Sequence, residues 1–235
     1  MEIFKKLGLN NNQLKVIAML SMLIDHIGVQ LFPNCIVLRI IGRISFPIFA
    51  YMIAEGCFHT KNRAKYLGLI AALGVGCQLV YYFAMGSLYQ SVLITFTLSI
   101  CVIFAVDFFV KKKHFLSGCL MALTVLGVLF TAAVAPVLWK AQGFKIDYGI
   151  IGVMLPIAVY YMPSKWWKVA AALTVLIVQG LARGGLFWVA LAAVPLLALY
   201  NGKRGKYKLK YLFYIFYPTH LVLIYAISLL MAGKL

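Results

Sequence analysis

The stretches LKVIAMLSMLIDHIGVQLF (residues 14–32) and GRISFPIFAYMIAEGCFHT (residues 42–60) are apolar segments long enough to cross a lipid bilayer. Both also carry ionisable side chains, each of which costs at least a few kcal/mol near the bilayer centre. The set comprises Asp25, His26, Arg43, Glu55 and His59. Because membrane segments rarely bear that cost without a use, we predict that these two segments form the functional centre of the protein.

The composition of the whole chain is that of an integral membrane protein. It has 235 residues, of which 64% are hydrophobic and only 11% are charged. A soluble domain has about a quarter of its residues charged, so a soluble globular class is excluded. The apolar runs have the length of membrane helices, which predicts an all-α polytopic protein forming a single domain over residues 1–235.

Nine transmembrane helices are predicted from the apolar runs. They lie near residues 14–32, 40–59, 66–84, 91–110, 115–135, 149–162, 166–182, 185–200 and 210–231. Under this assignment most Lys and Arg residues fall on one side, including Lys5, Lys6 and the clusters near residues 61–65, 111–113 and 203–210. The positive-inside rule then places the N-terminus in the cytoplasm and the C-terminus outside.

The net charge of +17 is therefore explained mostly by topology. Membrane lipids are the expected surroundings and no nucleic-acid partner is expected. The cysteines are single and lie within or beside apolar runs: Cys35, Cys57, Cys77, Cys101 and Cys119. Since no CxxC or Cys/His spacing occurs, no metal site is expected.

Helical spacing relates the charges of the first two segments. Lys15 and His26 are 11 positions apart, which is about 1100° of rotation and about 16 Å of rise, so they share a face. On the returning helix, Arg43 lies at the depth of Asp25, and Glu55 at the depth of Lys15. Two ion pairs, Asp25–Arg43 and Lys15–Glu55, are one interpretation, with a purely structural role. The alternative is catalytic, because an Asp–His pair beside a polar cavity suits general-base chemistry.

A second group of charges lies at the cytoplasmic end of the hairpin. Glu55 and His59 are at i, i+4, and Arg63 follows one turn later, near Lys61. This arrangement suits an anionic head group such as a nucleotide phosphate. A solvated basic loop that serves topology is the alternative. Farther along, Asp107 precedes Lys111 by four positions, which predicts a helix-stabilising pair.

Two further places hold candidate residues. Asp147 lies at an outer helix entrance, where it is either an N-cap or part of the outer mouth of a site. His220 is near the middle of the last segment, and Tyr214 and Tyr217 share its face by i, i+3 spacing. A hydrogen-bonded core histidine is an equally good interpretation of His220.

These residues occur in blocks that resemble a known family. The blocks are LIDHIG, GRISFPIFAYMIAEGCFHTKNR (residues 42–63), SVLITFTLS (residues 91–99), DYG (residues 147–149) and FYIFYPTHL (residues 213–221). In order and spacing they resemble the TraX family, which is named for a conjugation protein that acetylates the N-terminus of pilin subunits. Lys15 and His26, with ten residues between them, also resemble the Arg/Lys-x10-His signature of the wider acyltransferase family 3 membrane enzymes.

The resemblance implies a multi-pass acyltransferase of the bacterial plasma (inner) membrane. Its donor would be acetyl-CoA or another cytoplasmic acyl-CoA, and its acceptor would be outside: a protein N-terminus, a glycan or a lipid. The histidine matching His26 is taken as catalytic in that wider family. Position 15 is Lys rather than the commoner Arg, which weakens a bidentate phosphate contact.

Resemblance and spacing together give a working hypothesis. The CoA phosphates bind near Lys15, Glu55, His59, Arg63 and Lys61, and the thioester reaches His26. Oriented by Asp25, His26 deprotonates the acceptor, and Arg43 stabilises the oxyanion. Two rivals remain: a transporter of a small anionic substrate that uses the membrane charges as its path, and a non-catalytic scaffold subunit.

Overall fold

A computed structural model describes residues 8–207 and 209–233, and these are almost entirely helical. The α-helices are α1 (Asn11–Gln30), α2 (Ile36–Gly42), α3 (Ser45–His59), α4 (Arg63–Met85), α5 (Val92–Lys112), α6 (Phe115–Leu129), α7 (Ala135–Leu138), α8 (Gly149–Tyr160), α9 (Lys165–Arg183), α10 (Ala193–Ala198) and α11 (Lys210–Met231). A π-helical turn, Phe130–Val134, joins α6 to α7, and a 3-10 helix, Gly185–Ala192, precedes α10. Strands β1 (Tyr89–Gln90) and β2 (Lys145–Ile146) pair in parallel.

The predicted all-α membrane class is confirmed. Within the described ranges, five helical segments are long and apolar enough to cross a membrane: Ile36–His59, Arg63–Phe83, Val92–Lys112, Phe115–Leu138 and Tyr214–Met231. All nine predicted segments are largely helical, but nine crossings and the orientation of the termini stay predictions. Helix α8 has 12 residues and is about 18 Å long, so it is shorter than the hydrocarbon core of about 30 Å. Of the basic residues used for orientation, Lys5, Lys6 and Lys208 lie outside the described residues.

Polar residues between the apolar runs determine where several helices begin. Asn10 caps α1 by accepting a hydrogen bond from the Gln13 backbone N–H at 3.0 Å, and the Gln13 side chain accepts from the Asn10 N–H at 2.9 Å. This reciprocal capping box satisfies two backbone donors that no helical carbonyl reaches. Asn62 caps α4 with one hydrogen bond, accepting from the Lys65 N–H at 2.8 Å.

The π-helical turn has its cause in the sequence. Pro136 lies in the first turn of α7 and has no backbone N–H to donate to the preceding turn. The chain widens over Phe130–Val134 before the proline, and the segment from Phe115 to Leu138 continues as one apolar rod. Local widening of this kind accommodates a proline without ending the helix.

The residues form two compact units, and the prediction of a single domain stays a prediction. The first unit comprises the chain up to Met52 and from Ser164 onward, and the second comprises Ile53–Pro163, with α3 beginning in one and ending in the other. In the first unit, the start of α1 forms backbone hydrogen bonds with the segment after α10. Leu9 pairs with Tyr200, and the Asn11 N–H donates to the Lys203 carbonyl at 2.8 Å.

The second unit is built around α5, which packs against α4, α6 and α8. Two buried hydroxyls on one face of α5 bond to backbone carbonyls: Thr95 to Asp147 at 2.7 Å and Ser99 to Val153 at 2.8 Å. In a membrane interior such bonds satisfy small polar groups and hold neighbouring helices close together. They fix the register of α8 against α5.

Candidate functional site

The carboxylate of Asp25 is held by two arginines in the first unit. Its oxygens lie 3.1 and 3.2 Å from Nη2 of Arg43, and Oδ2 lies 3.2 Å from Nη1 of Arg39. The Asp25 and Arg43 side chains are 14% and 10% exposed, so these charges are largely removed from water. The predicted Asp25–Arg43 pair is present. One carboxylate beside two guanidinium groups leaves an excess of one positive charge, which suits contact with an anion or a developing oxyanion.

Arg39 was missed as a site residue in the sequence, where it reads as one of a few basic residues on the outer side. It lies on α2, four positions before Arg43. An i, i+4 spacing places both guanidinium groups on one side of a helical turn. That spacing was the available signal, and the structure brings both side chains to Asp25.

Gly42 makes room for the Asp25 carboxylate. A Cβ atom at position 42 would lie 2.2 Å from both Cβ and Oδ1 of Asp25, far inside van der Waals contact. The missing side chain is therefore what allows the end of α2 to approach α1 at the site.

We expect Gly42→Ala to destabilise the protein by about 1–3 kcal/mol, because the Asp25 carboxylate must leave its two arginines. Thermal unfolding in detergent measures the effect. Gly68→Ala on α4 is the matched control, since nothing lies within 4 Å of its Cβ position, and alanine is the better helix former by about 1 kcal/mol. Equal unfolding temperatures for the two variants would contradict the steric account.

His26 contacts His220, and this pair joins α1 to α11 in the first unit. The Nδ1 atom of His26 lies 2.7 Å from the Nε2 atom of His220. The rings are nearly parallel, at 14°, with centroids 4.9 Å apart. That separation exceeds the nitrogen distance by about two ring radii, as an in-plane hydrogen bond between two imidazoles requires. His26 is partly buried, and His220 is 4% exposed.

Aromatic residues surround the two histidines. The Tyr217 ring lies edge-on to both His26 and His220, with centroids 6.5 and 5.6 Å away. Phe216 stacks on His220 at 4.7 Å. Tyr217 is buried and Tyr214 is partly buried. The predicted proximity of Tyr217 and His220 is present, and both residues lie beside His26.

The predicted phosphate-binding residues of the second unit have acidic partners. His59 lies 3.6 Å from the buried Glu55 carboxylate. Arg63 donates to Asp107 at 2.6 Å, and Tyr160 donates to the same oxygen at 2.5 Å. The sequence paired Asp107 with Lys111, whereas the structure has Arg63 as its partner. The Arg63 side chain remains 46% exposed, so part of its surface stays open to solvent.

Lys61 is exposed next to His59 and Arg63, in the turn between α3 and α4. Lys15 is on α1 in the first unit and partly buried. Neither the Lys15–Glu55 pair nor the shared phosphate site is tested by the geometry within each unit. Both stay predictions.

Asp147 belongs to a third polar group, in the second unit. It follows β2, and its carboxylate accepts a hydrogen bond from the Tyr89 hydroxyl at 2.7 Å. Its backbone N–H donates to the Gln90 carbonyl at 3.0 Å. Burial, and after it the negative charge of Asp147, raise the pKa of Tyr89 above its ordinary value. The phenol therefore keeps its proton and remains the donor.

Asp147 does not occupy the N-cap position, which belongs to Tyr148 with a left-handed backbone (φ 60°). The N-cap interpretation is thus wrong. A non-glycine residue rarely adopts this conformation, and Tyr148 is buried.

The described residues contain no group of three or more His, Cys, Asp or Glu side chains placed to hold a metal ion. In the first unit, His26 and His220 form one group of contacting ionisable side chains, and Asp25, Arg39 and Arg43 form another. Such groups, in a chain with several apolar helices of membrane length, define the class: a multi-pass membrane protein with ionisable side chains in its helices.

Comparison with known proteins identifies the family. The profile of the family described as "TraX protein" matches residues 10–228. The chain belongs to the TraX family, as its motifs predicted. It is 29% identical to the "Probable fimbrial assembly protein FimC, serogroup H1" of Dichelobacter nodosus, over 90% of this chain and 93% of that protein. It is 28% identical to an uncharacterized protein of Rickettsia prowazekii (strain Madrid E), over 60% and 52% of the two chains. No solved structure matches.

Proposed function

We propose that the protein is an acyltransferase of the bacterial inner membrane. It moves an acetyl or other short acyl group from cytoplasmic acyl-CoA to an amine or hydroxyl group at the outer face. The observation that carries the proposal is the first-unit site: a histidine hydrogen-bonded to a second histidine, next in sequence to a carboxylate bound by two arginines. Membership of the TraX family supports acyl transfer as the reaction.

The chemistry requires a base and a positively charged group. As the acceptor N–H or O–H attacks the thioester carbonyl, His26 takes its proton. The carbonyl oxygen gains negative charge, and the excess positive charge of Arg39 and Arg43 over Asp25 favours that charge. Asp25 keeps the guanidinium groups in place rather than contacting His26, which revises its hypothetical role of orienting the base.

The phosphates of the acyl-CoA donor are proposed to bind at the basic end of the second unit. The turn between α3 and α4 and the end of α5 are brought together there by the Arg63–Asp107 contact. Exposed lysines at this end include Lys61, Lys65 and Lys111, and clustered positive charge attracts the phosphates of CoA. Lys15, Glu55 and His59 are assigned to the same donor role as expectations from the sequence.

The acceptor is proposed to be a protein amine. The relative from Dichelobacter nodosus carries the name of a fimbrial assembly protein, which favours a pilus-type subunit over a glycan or lipid. An uncharged amine is the nucleophile, so the acceptor must lose a proton before or during attack, and a neutral histidine with a free ring lone pair can take that proton.

The test uses purified protein in lipid nanodiscs with radiolabelled acetyl-CoA. A peptide with a free N-terminus, a glycan and a phospholipid are offered separately as acceptors. We expect release of free CoA together with label on the peptide. Without protein-dependent release of CoA for any acceptor, the proposal fails.

The rival function is transport of a small anion, and one observation favours it: the two arginines bring more positive charge than Asp25 compensates. The same protein in sealed proteoliposomes distinguishes the two functions. Uptake of labelled acetate or phosphate with no acyl transfer would favour the transporter. Acyl transfer with no uptake would favour the enzyme.

A further inference from the structure

We propose that His220 is a positioning residue that fixes the tautomer of His26, so that the Nε2 atom of His26 is the basic atom. The inference rests on the proposed function for its catalytic meaning, because it states which atom accepts the proton of the acceptor. Its physical basis is a chain of two hydrogen bonds that begins at a backbone carbonyl of α11 and ends on the ring of His26.

The direction of the first hydrogen bond is fixed by chemistry. The Nδ1 atom of His220 lies 2.7 Å from the carbonyl oxygen of Phe216. A carbonyl oxygen has no proton and only accepts, so Nδ1 of His220 carries the hydrogen. In a neutral imidazole the other nitrogen then has the free lone pair. The Nε2 atom of His220 is therefore an acceptor.

The second hydrogen bond follows from the first. The acceptor Nε2 of His220 lies 2.7 Å from Nδ1 of His26, so Nδ1 of His26 must be the donor. His26 is thereby held as the Nδ1–H tautomer, and its Nε2 atom carries the lone pair. In effect the neutral His220 does for His26 what a carboxylate does in a catalytic triad: it holds the ring and selects the tautomer.

The arrangement also accommodates the charged state. As the nitrogen or oxygen of the acceptor forms its bond to the thioester carbon, its proton moves to Nε2 of His26. The resulting imidazolium still donates through Nδ1 to His220, whose lone pair stabilises the new charge. When the carbon–sulfur bond breaks, the leaving thiolate takes this proton from Nε2, so the products are the acylated acceptor and free CoA, and His26 is neutral again.

His220 is itself held in place within the first unit. His220 is buried at 4% exposure among Phe216 and Tyr217, which keeps its ring from turning. The partner Phe216 is four positions earlier on the same helix, so α11 itself supplies the fixed end of the chain. The positioning effect thus needs only that α11 and α1 stay packed.

The tautomer is measured by nitrogen NMR on protein labelled with ¹⁵N-histidine in nanodiscs. The chain has four histidines, and a His26→Gln sample identifies the His26 signals by their loss. We expect the hydrogen of neutral His26 on Nδ1 in the wild type and a shift of the population toward Nε2–H in His220→Ala. A wild-type His26 already in the Nε2–H form, or a tautomer unchanged by His220→Ala, would overturn the inference.

The activity test uses two substitutions at position 220 and a neighbour as control. His220→Ala removes the Nε2 atom that accepts the hydrogen bond from His26. We expect kcat to fall about 10–100-fold with KM for acetyl-CoA nearly unchanged. His220→Gln offers a side-chain oxygen in place of Nε2 and should restore both the Nδ1–H signal of His26 and a part of kcat. Thr219→Ala is the control, because its exposed hydroxyl bonds only to the Ile215 carbonyl of its own helix.

Failure of the inference is distinguishable from failure of the proposed function. Normal kcat in His220→Ala, or equal losses in the Ala and Gln variants, would refute the positioning role while leaving acyl transfer intact. If the protein shows no acyl transfer, the proposed function fails, whereas the NMR result still decides whether His220 sets the tautomer of His26.

Discussion

Replacing Asp25 with alanine is expected to destabilise the protein by about 3 kcal/mol, the loss typical of breaking a buried ion pair from one side. The Asp25 carboxylate compensates both Arg39 and Arg43, and the Arg43 side chain is only 10% exposed. Without Asp25, two guanidinium groups remain close together with no carboxylate between them. They must then repel one another or move the end of α2 toward water.

Thermal unfolding of the detergent-purified variants measures this loss. Arg39→Ala is the informative control: it removes one cation, leaves the Asp25–Arg43 pair intact, and Arg39 is the more exposed of the two arginines at 25%. We expect it to cost about 1 kcal/mol or less, because partly exposed pairs contribute little. If Arg39→Ala proved as destabilising as Asp25→Ala, or Asp25→Ala proved neutral, the charge-compensation account would be refuted.

Replacing His26 with alanine is expected to reduce the rate of acyl transfer by about 10²–10⁴-fold, the usual contribution of a positioned general base. The loss should appear in kcat, since His26 acts on the proton of the acceptor and not on the CoA phosphates. Release of CoA from labelled acetyl-CoA in the presence of the peptide acceptor gives the rate. Gly68→Ala provides the control, because that position is on α4 with open space around it.

The fold of the His26→Ala variant must be checked beside its activity. The His26→Ala substitution removes one hydrogen bond to His220, which contributes about 1 kcal/mol. We therefore expect the protein to stay folded with a slightly lower unfolding temperature. Activity within threefold of the wild type in a folded His26→Ala variant would remove His26 from the chemistry. The reaction would then need a different base.

The elements of the fold were accessible from the sequence because hydrophobic length is a direct physical requirement of a membrane helix. Apolar runs located the helical segments, and Asn10 and Asn62 mark where α1 and α4 begin. Depth matching along two antiparallel helices was sufficient to predict the Asp25–Arg43 pair. Such local arguments succeed because both partners belong to consecutive segments with a short connection.

The remaining contacts depend on tertiary packing that no local pattern encodes. His26 and His220 are 194 positions apart, and only the packing of α11 on α1 brings them together. The partner of Arg63 was missed for the same reason: Asp107 has Lys111 one turn away on its own helix, but α4 presents Arg63 at 2.6 Å. The contact between Tyr89 and Asp147 likewise needs β1 to pair with β2.

The contacts between the start of α1 and the segment after α10 can form only late in the synthesis of the protein. The partners of Leu9 and Asn11 are Tyr200 and Lys203, and these leave the ribosome long after α1 has been synthesised. His220 follows later still. Helix α1, which carries Asp25 and His26, therefore lacks these contacts for most of translation, and the His26–His220 pair forms only when the last helix has been made. A polypeptide released early by the ribosome would contain Asp25 and His26 but lack the second histidine.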